Sequence, residues 1–204
     1  MLARFADCSP ELRHEPFTDW SQVSRDAWPP IEIGKRFFLV APWSTDPTPA
    51  GRLRLEIHPG MACGTGRHPC TQLCLLAIDR FVRPGDSVID IGTGSGILSA
   101  AALLVGAARA VAGDIDPEAV GIARQRMQDV RLFIGSADAI RSNSADVVVA
   151  NIDAATIEGI APELARVRKP ASTLILSGFP EEDMPEGFQT KETLALDGWV
   201  CLIC

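Results

Sequence analysis

Val88-Ile89-Asp90-Ile91-Gly92-Thr93-Gly94-Ser95-Gly96 changes character halfway along. Its first half is apolar and β-branched, which reads as a short buried strand. Its second half alternates glycine with small residues, and an apolar small-residue run follows from Ile97 to Val105. The order is strand, tight loop, helix. Gly92, Gly94 and Gly96 carry no Cβ, so the backbone can turn sharply and a ligand can lie against it. The free N–H groups opening the next helix favour a polar or anionic group at the same place. A nucleotide-containing cofactor fits both demands.

The following strand, Ala110-Val111-Ala112-Gly113-Asp114, ends in an acid about 20 residues past the glycines, where Rossmann-type units hold a ribose hydroxyl pair. Asp114 is assigned that role. Asp116-Pro117-Glu118 reads instead as a helix start, with Asp as cap, Pro in the first turn and Glu near the positive end of the dipole. A ribose site beside a glycine loop is common to NAD, FAD and S-adenosylmethionine. The spacing Gly-x-Gly-x-Gly departs from the dinucleotide pattern and fits the tighter loop of S-adenosylmethionine enzymes better.

The chain has 204 residues, 47% of them hydrophobic and 22% charged, which is ordinary for one soluble globular domain. No apolar run approaches a membrane span, so no membrane partner is expected. Met1–Pro10 lacks the pattern of a secretion signal, and a cytoplasmic location is expected. The net charge of −7 argues against a general nucleic-acid binder and is compatible with a basic protein as substrate. Of six cysteines, Cys201 and Cys204 resemble a metal or redox pair. In a strand they face opposite sides, and no His stands beside them, so no metal site is assigned.

Residues 1–33 read as an irregular arm, with a short helix near Trp20 to Trp28, and residues 34–204 as the main domain. Trp20, Trp28 and Trp43 are expected to dock on that domain. Arg36–Ala41 and Arg52–Ile57 read as an antiparallel pair of strands ahead of the main sheet. Between them and the first-quoted stretch lies a second glycine-rich loop, His58 to Pro69, leading into an apolar helix from Cys70 to Val82. Met61, Thr65 and His68 in this loop suggest a wall over a ligand.

Val130–Ile134 is the next strand. Asp138 follows on a loop, where it can face an adenine ring or cap a helix. Asp146–Ala150 is a central strand ending at Asn151, and ligands of open α/β sheets sit beyond such strand ends. A helix from Asp153 to Arg168 is bent or split at Pro162. Thr173–Ser177 is a strand, and Asp197-Gly198 marks a type I′ hairpin between the last two runs. The whole predicts an α/β fold, Rossmann-like, with a mostly parallel sheet and an antiparallel C-terminal hairpin.

Five stretches in this order resemble the PrmA family, the methyltransferases of large-subunit ribosomal protein eleven: Pro59 to Pro69, Val88 to Leu98, Gly113 to Pro117, Val149 to Ile152, and Leu176 to Gly178. The likeness runs from about Trp20 to the C-terminus. It implies a class I S-adenosylmethionine-dependent methyltransferase acting on lysine side chains and the N-terminal amine of a ribosomal protein. By resemblance, Thr65, Gly66 and His68 lie near the cofactor, and Asp90, Gly92 and Gly94 line its site. Asp114 holds the ribose, and Asn151 faces the transferred methyl and the amine. The family usually has Phe at Cys63, Thr at Arg67, Thr at Cys70 and Cys at Thr93. It also carries an N-terminal recognition domain, where this sequence offers only the short arm. Other readings are a methyltransferase aimed at another protein or small molecule, a non-catalytic cofactor-binding module, and a nicotinamide-dependent oxidoreductase.

Overall fold

A computed structural model describes residues 28–57 and 66–204. Trp20, the helix expected near it, and Met61 and Thr65 lie outside the described residues.

Seven strands form the main sheet. β4 (Ser87–Ile91), β5 (Arg109–Asp114), β6 (Val130–Ile134), β7 (Ala145–Asn151) and β8 (Arg168–Pro180) run parallel. The hairpin β9 (Glu192–Leu196) and β10 (Trp199–Ile203) joins antiparallel through β10 on β8, giving the order β6-β5-β4-β7-β8-β10-β9. Asp197 and Gly198 both have positive φ, 49° and 79°, as the expected type I′ turn requires. Because the chain winds outward in both directions from β4 and β7, a crevice opens beyond the carboxyl ends of these two strands.

Helices cover both faces. α1 (Pro69–Phe81), α2 (Ile97–Leu104) and α3 (Pro117–Arg126) lie on one, α4 (Ala154–Gly159) and α5 (Ala161–Val167) on the other. The split between α4 and α5 falls at Ile160, two residues before Pro162, which has no N–H to continue the ladder. Asp116 caps α3 by accepting from the Glu118 N–H at 2.8 Å, a contact worth about 1 kcal/mol. Cys201 packs in the core on the α1 side of the sheet and Cys204 in the core on the other, as strand alternation demands. Among the described residues no helix is long and apolar enough to cross a membrane.

Three expectations fail ahead of the main sheet. Ile31–Ile33, assigned to the irregular arm, forms a strand, β1, antiparallel to β2 (Phe37–Val40). β2 and β3 (Leu53–Glu56) are parallel rather than antiparallel. The twelve residues between them, with three prolines, form a crossover long enough to reverse the chain, a length that parallel pairing needs and a hairpin does not. Trp43 is 41% exposed on that crossover, whereas Trp28 is half-buried with the Arg67 guanidinium 4.9 Å from its ring centre.

Candidate functional site

The glycine loop is held from both sides. Gly92 N–H and Thr93 N–H donate to the Gly113 carbonyl at 2.9 and 3.0 Å, and Gly94 N–H donates to Asp114 Oδ2 at 2.9 Å. The same carboxylate accepts from Asp116 N–H at 3.0 Å through Oδ1. Asp114 thus fixes the loop at a charged, half-buried strand end and keeps lone pairs for a diol. Gly92, Gly94 and Gly96 have φ of 72°, 51° and 84°, so the loop needs left-handed backbone at three alternating positions.

Beneath the loop, Asp90 is fully buried. Its Oδ2 accepts from Thr93 Oγ1 at 2.7 Å and Ser99 Oγ at 2.8 Å, tying strand, loop and helix together. Among the described residues its Oδ1 has no partner. Burial pushes the carboxyl up to about 6, against the two hydroxyls that favour its charged form.

Asn151 ends β7 opposite Ser177 of β8. Its Nδ2 donates to Thr71 Oγ1 at 3.4 Å, on the buried first turn of α1. The residue after it explains how it is placed. Ile152 N–H donates to the Ser177 carbonyl at 2.9 Å, and β8 then bulges: Ser177 pairs with Cys201 and Phe179 with Val200, leaving Gly178 over. Gly178 has φ of 109°, and a Cβ there would lie 2.7 Å from the Ile152 backbone N and C. A Cβ on Gly92 would overlap the Ile152 side chain. Ile152 is therefore wedged between two glycines, one from the loop and one from the bulge, and Asn151 is carried with it.

The second glycine loop is partly described. Gly66 (φ 75°) is buried, with Leu39 close enough to exclude a Cβ at 2.5 Å and Ile57 and Ile97 at 3.0 Å. Its contact with the first residue of α2 brings the end of this loop beside the first one. His68 is exposed at the N-cap of α1, where its Nδ1 accepts from Cys70 N–H at 3.4 Å. Its ring stands edge-on to Trp199 at 4.6 Å. Asp138 is exposed in a 3-10 turn, Ala137–Ala139, beyond the end of β6. Ser136, not Asp138, stands at the cap position, so the capping alternative fails.

Asp90, Gly92, Gly94, Asp114 and Asn151 thus converge on the carboxyl ends of β4, β5 and β7, with Gly66 and His68 on the adjoining loop. Two residues escaped the sequence reading. Thr71 carries no motif, although its place in the first turn after the loop was a signal. Ile115, next to Asp114, is a 76% exposed apolar side chain. The two cysteines of α1 are held as thiols: burial pushes the Cys70 thiol up, and Cys74 is raised by its hydrogen bond with Cys201 and by burial. Among the described residues no three His, Cys, Asp or Glu gather as metal ligands.

A second cleft, of about 880 Å³, is lined by Gly178 and by Asp153, two residues beyond Asn151. Gly178, Phe179 and Trp199 form its apolar part, and Asp153, Glu158 and Glu186 bring carboxylates to it. Hydrogen bonds from the Thr156 side chain and backbone N–H hold Asp153 below the usual carboxylate range, so Asp153 stays charged.

A sheet of this order, with a glycine loop and an acidic strand end at its switch point and an antiparallel hairpin at one edge, defines a Rossmann-like protein of the class I methyltransferase type. Within that class, the chain belongs to the ribosomal protein L11 methyltransferase (PrmA) family, whose sequence profile matches residues 8–204. It is 39% identical over 194 residues to the ribosomal protein L11 methyltransferase of Azotobacter vinelandii, covering 89% of this chain and 66% of that protein. The namesake from Symbiobacterium thermophilum is 38% identical over 199 residues, with 91% and 65% covered. The chain therefore spans just under two thirds of the length of these curated relatives. The crystal structure of a ribosomal protein L11 methylase from Lactobacillus delbrueckii subsp. bulgaricus superposes with a TM-score of 0.77 at 28% identity, over 85% of this chain and 96% of that one.

Proposed function

We propose that this chain is an S-adenosylmethionine-dependent N-methyltransferase acting on amino groups of a protein, with a ribosomal protein as the substrate class. The observation that carries this reading is the wedging of Ile152, which fixes Asn151 between the glycine loop and an acidic cleft. The family names of its relatives supply the substrate class.

The residues fit the cofactor. Gly92 and Gly94 have left-handed backbone that lets a ligand lie against the loop, Asp114 offers carboxylate lone pairs to the ribose hydroxyls, and Ile115 offers an apolar surface to the adenine. Asp90 supplies a buried negative charge with one oxygen unspent. Asp138 and His68 stand at the rim. When bound, S-adenosylmethionine supplies a methyl on a positively charged sulfur, already activated for in-line displacement.

What the chain must do is present a neutral amine on that line. With Asn151 Nδ2 directed at Thr71, its Oδ1 is left to accept a hydrogen bond from the amine and aim the nitrogen lone pair. With the cofactor bound, transfer would form the C–N bond as the C–S bond broke, leaving the electron pair on sulfur and the spare proton to pass to water. The carboxylates of the neighbouring cleft draw in the basic side chain that carries the amine.

Asn151→Ala tests this. Turnover with a ribosomal protein substrate should fall on the order of 100-fold while S-adenosylhomocysteine affinity changes little, because an aiming residue acts mainly in the transition state. An equal loss in both would remove Asn151 from its role. Saturable NADH binding without S-adenosylhomocysteine binding would overturn the cofactor.

A further inference from the structure

At the opposite end of the sheet, away from the candidate site, three arginines meet around a small pocket. Arg109 opens β5, Arg131 is the second residue of β6, and Arg141 follows the 3-10 turn that crosses this face. The register accounts for the meeting. Arg131 pairs with Val111, two residues beyond Arg109, so Arg109, Val111 and Arg131 project from the same side of adjacent strands. Ser87, which pairs with Arg109, closes the pocket from β4, and Ser144 closes it from the far side.

All three arginines are exposed, and among the described residues none has an ion pair or side-chain hydrogen bond. Elsewhere in the chain Arg36, Arg52, Arg80 and Arg166 each have a carboxylate partner. Exposed Arg83, Arg124 and Arg126 also make no ion pair among the described residues; what sets Arg109, Arg131 and Arg141 apart is that they line one pocket. The nearby acids are otherwise engaged or not joined. Asp146 accepts from Ser87 N–H and is neutralised by Lys169 Nζ at 2.7 Å. Asp86 accepts from Arg83 N–H at 2.8 Å. Asp129, just ahead of β6, makes no ion pair with Arg109 among the described contacts. Three like charges thus line one pocket with no carboxylate partner among the described residues.

The pocket holds about 190 Å³. That is below the ~300–1,000 Å³ of clefts that take whole organic ligands. It is on the order of six waters at ~30 Å³ each, room for a single phosphoryl group and part of its shell. Guanidinium forks match phosphate oxygens two at a time.

We propose that Arg109, Arg131 and Arg141 form a binding site for one phosphate group, distinct from the candidate methyl-transfer site. Two sources share this chemistry: the free anion, and a phosphate ester projecting from a nucleic-acid chain. Inorganic phosphate is titrated calorimetrically into the full chain at low salt. A 5′-phosphorylated single-stranded RNA octamer is followed by fluorescence anisotropy.

Binding of at least one probe is expected, weakened about tenfold or more by Arg131→Gln and by Arg141→Gln. Arg124→Gln, exposed on α3 and away from the pocket, should change nothing. Phosphate bound without RNA identifies the free anion as the source. RNA bound more tightly, with the same dependence on Arg131 and Arg141, identifies the ester. Neither probe bound at about 10 mM phosphate, well past a 1 mM dissociation constant, overturns the site. So does binding that Arg124→Gln weakens as much as Arg131→Gln. Unchanged S-adenosylhomocysteine affinity and melting temperature show that the variants fold.

Discussion

Gly178→Ala is the substitution that isolates how Asn151 is positioned. Two effects act together. The backbone sits at φ of 109°, a region nearly closed to residues with a Cβ and costing about 1–3 kcal/mol. The added Cβ would also overlap the Ile152 carbonyl oxygen and stand 2.7 Å from Ile152 N and C, against 3.4 Å for ordinary contact, so the Ile152 backbone must retreat by at least about 0.7 Å. That backbone has no flexible end to swing aside. It is held by its own hydrogen bond to Ser177, so the movement passes to Asn151. With ~100-fold lost per ångström of misplacement, a shift of this size predicts a loss on the order of 25–100-fold in turnover. Stability should fall by about 2–4 kcal/mol, strain and overlap combined. The assay pairs urea unfolding of the free protein with single-turnover methyl transfer below the unfolding transition. S-adenosylhomocysteine affinity should fall less than turnover, because the Gly113 and Asp114 contacts to the loop are untouched. A variant with wild-type turnover and stability would refute the argument that the bulge places Asn151.

Gly113→Ala meets a different obstacle, since its backbone is ordinary but its Cβ would lie 2.6 and 2.8 Å from the Phe133 ring. It should cost about 1–3 kcal/mol in urea unfolding, and Phe133→Leu should restore most of it; no rescue would mean strain rather than overlap. Asp90 gives a pH signature in the cofactor-free protein. Its folded pKa of about 6 lies above the ordinary carboxyl value of 3.8, so its contribution is fully present below about pH 4 and is lost as pH rises through 6. Relative to Asp90→Asn, the wild type should lose about 3 kcal/mol between these limits, at ~1.4 kcal/mol per unit; parallel pH profiles would show that Asp90 does not titrate there. Reversing charge on the cleft by Glu158→Lys with Glu186→Lys should raise KM for a basic protein substrate about tenfold, leave S-adenosylhomocysteine affinity unchanged, and steepen neither with salt; unchanged KM would detach the cleft from the acceptor.

The main sheet was legible because its strands and helices each carry a local signal. Val88–Ile91 and Asp146–Ala150 are apolar β-branched runs, Asp116-Pro117 is a cap, and Asp197-Gly198 is a turn with a single favoured geometry. The small sheet was less legible. Ile31–Ile33 is only three residues long, too short to show a period, and the direction of β3 depends on where the long crossover leads rather than on the alternation within either strand. Trp43 illustrates the same limit: apolar size argues for burial, but its position on the crossover leaves it 41% in solvent.

By itself the sequence determined the chemistry available at the carboxyl ends of the strands. Glycine spacing, the acid at 114 and the amide at 151 are local facts, and the resemblance of five stretches supplied the family. Only the tertiary structure decided that a bulge at Gly178 and the loop glycine Gly92 grip the same residue, Ile152, and so place Asn151. It alone showed that Thr71 reaches that amide, and that Arg109, Arg131 and Arg141 line one pocket with no carboxylate partner among the described residues, in a chain whose net charge is −7. The reason is physical. A backbone signal acts within a few residues, whereas contacts between strands and loops depend on register, and register is set by the packing of the whole sheet.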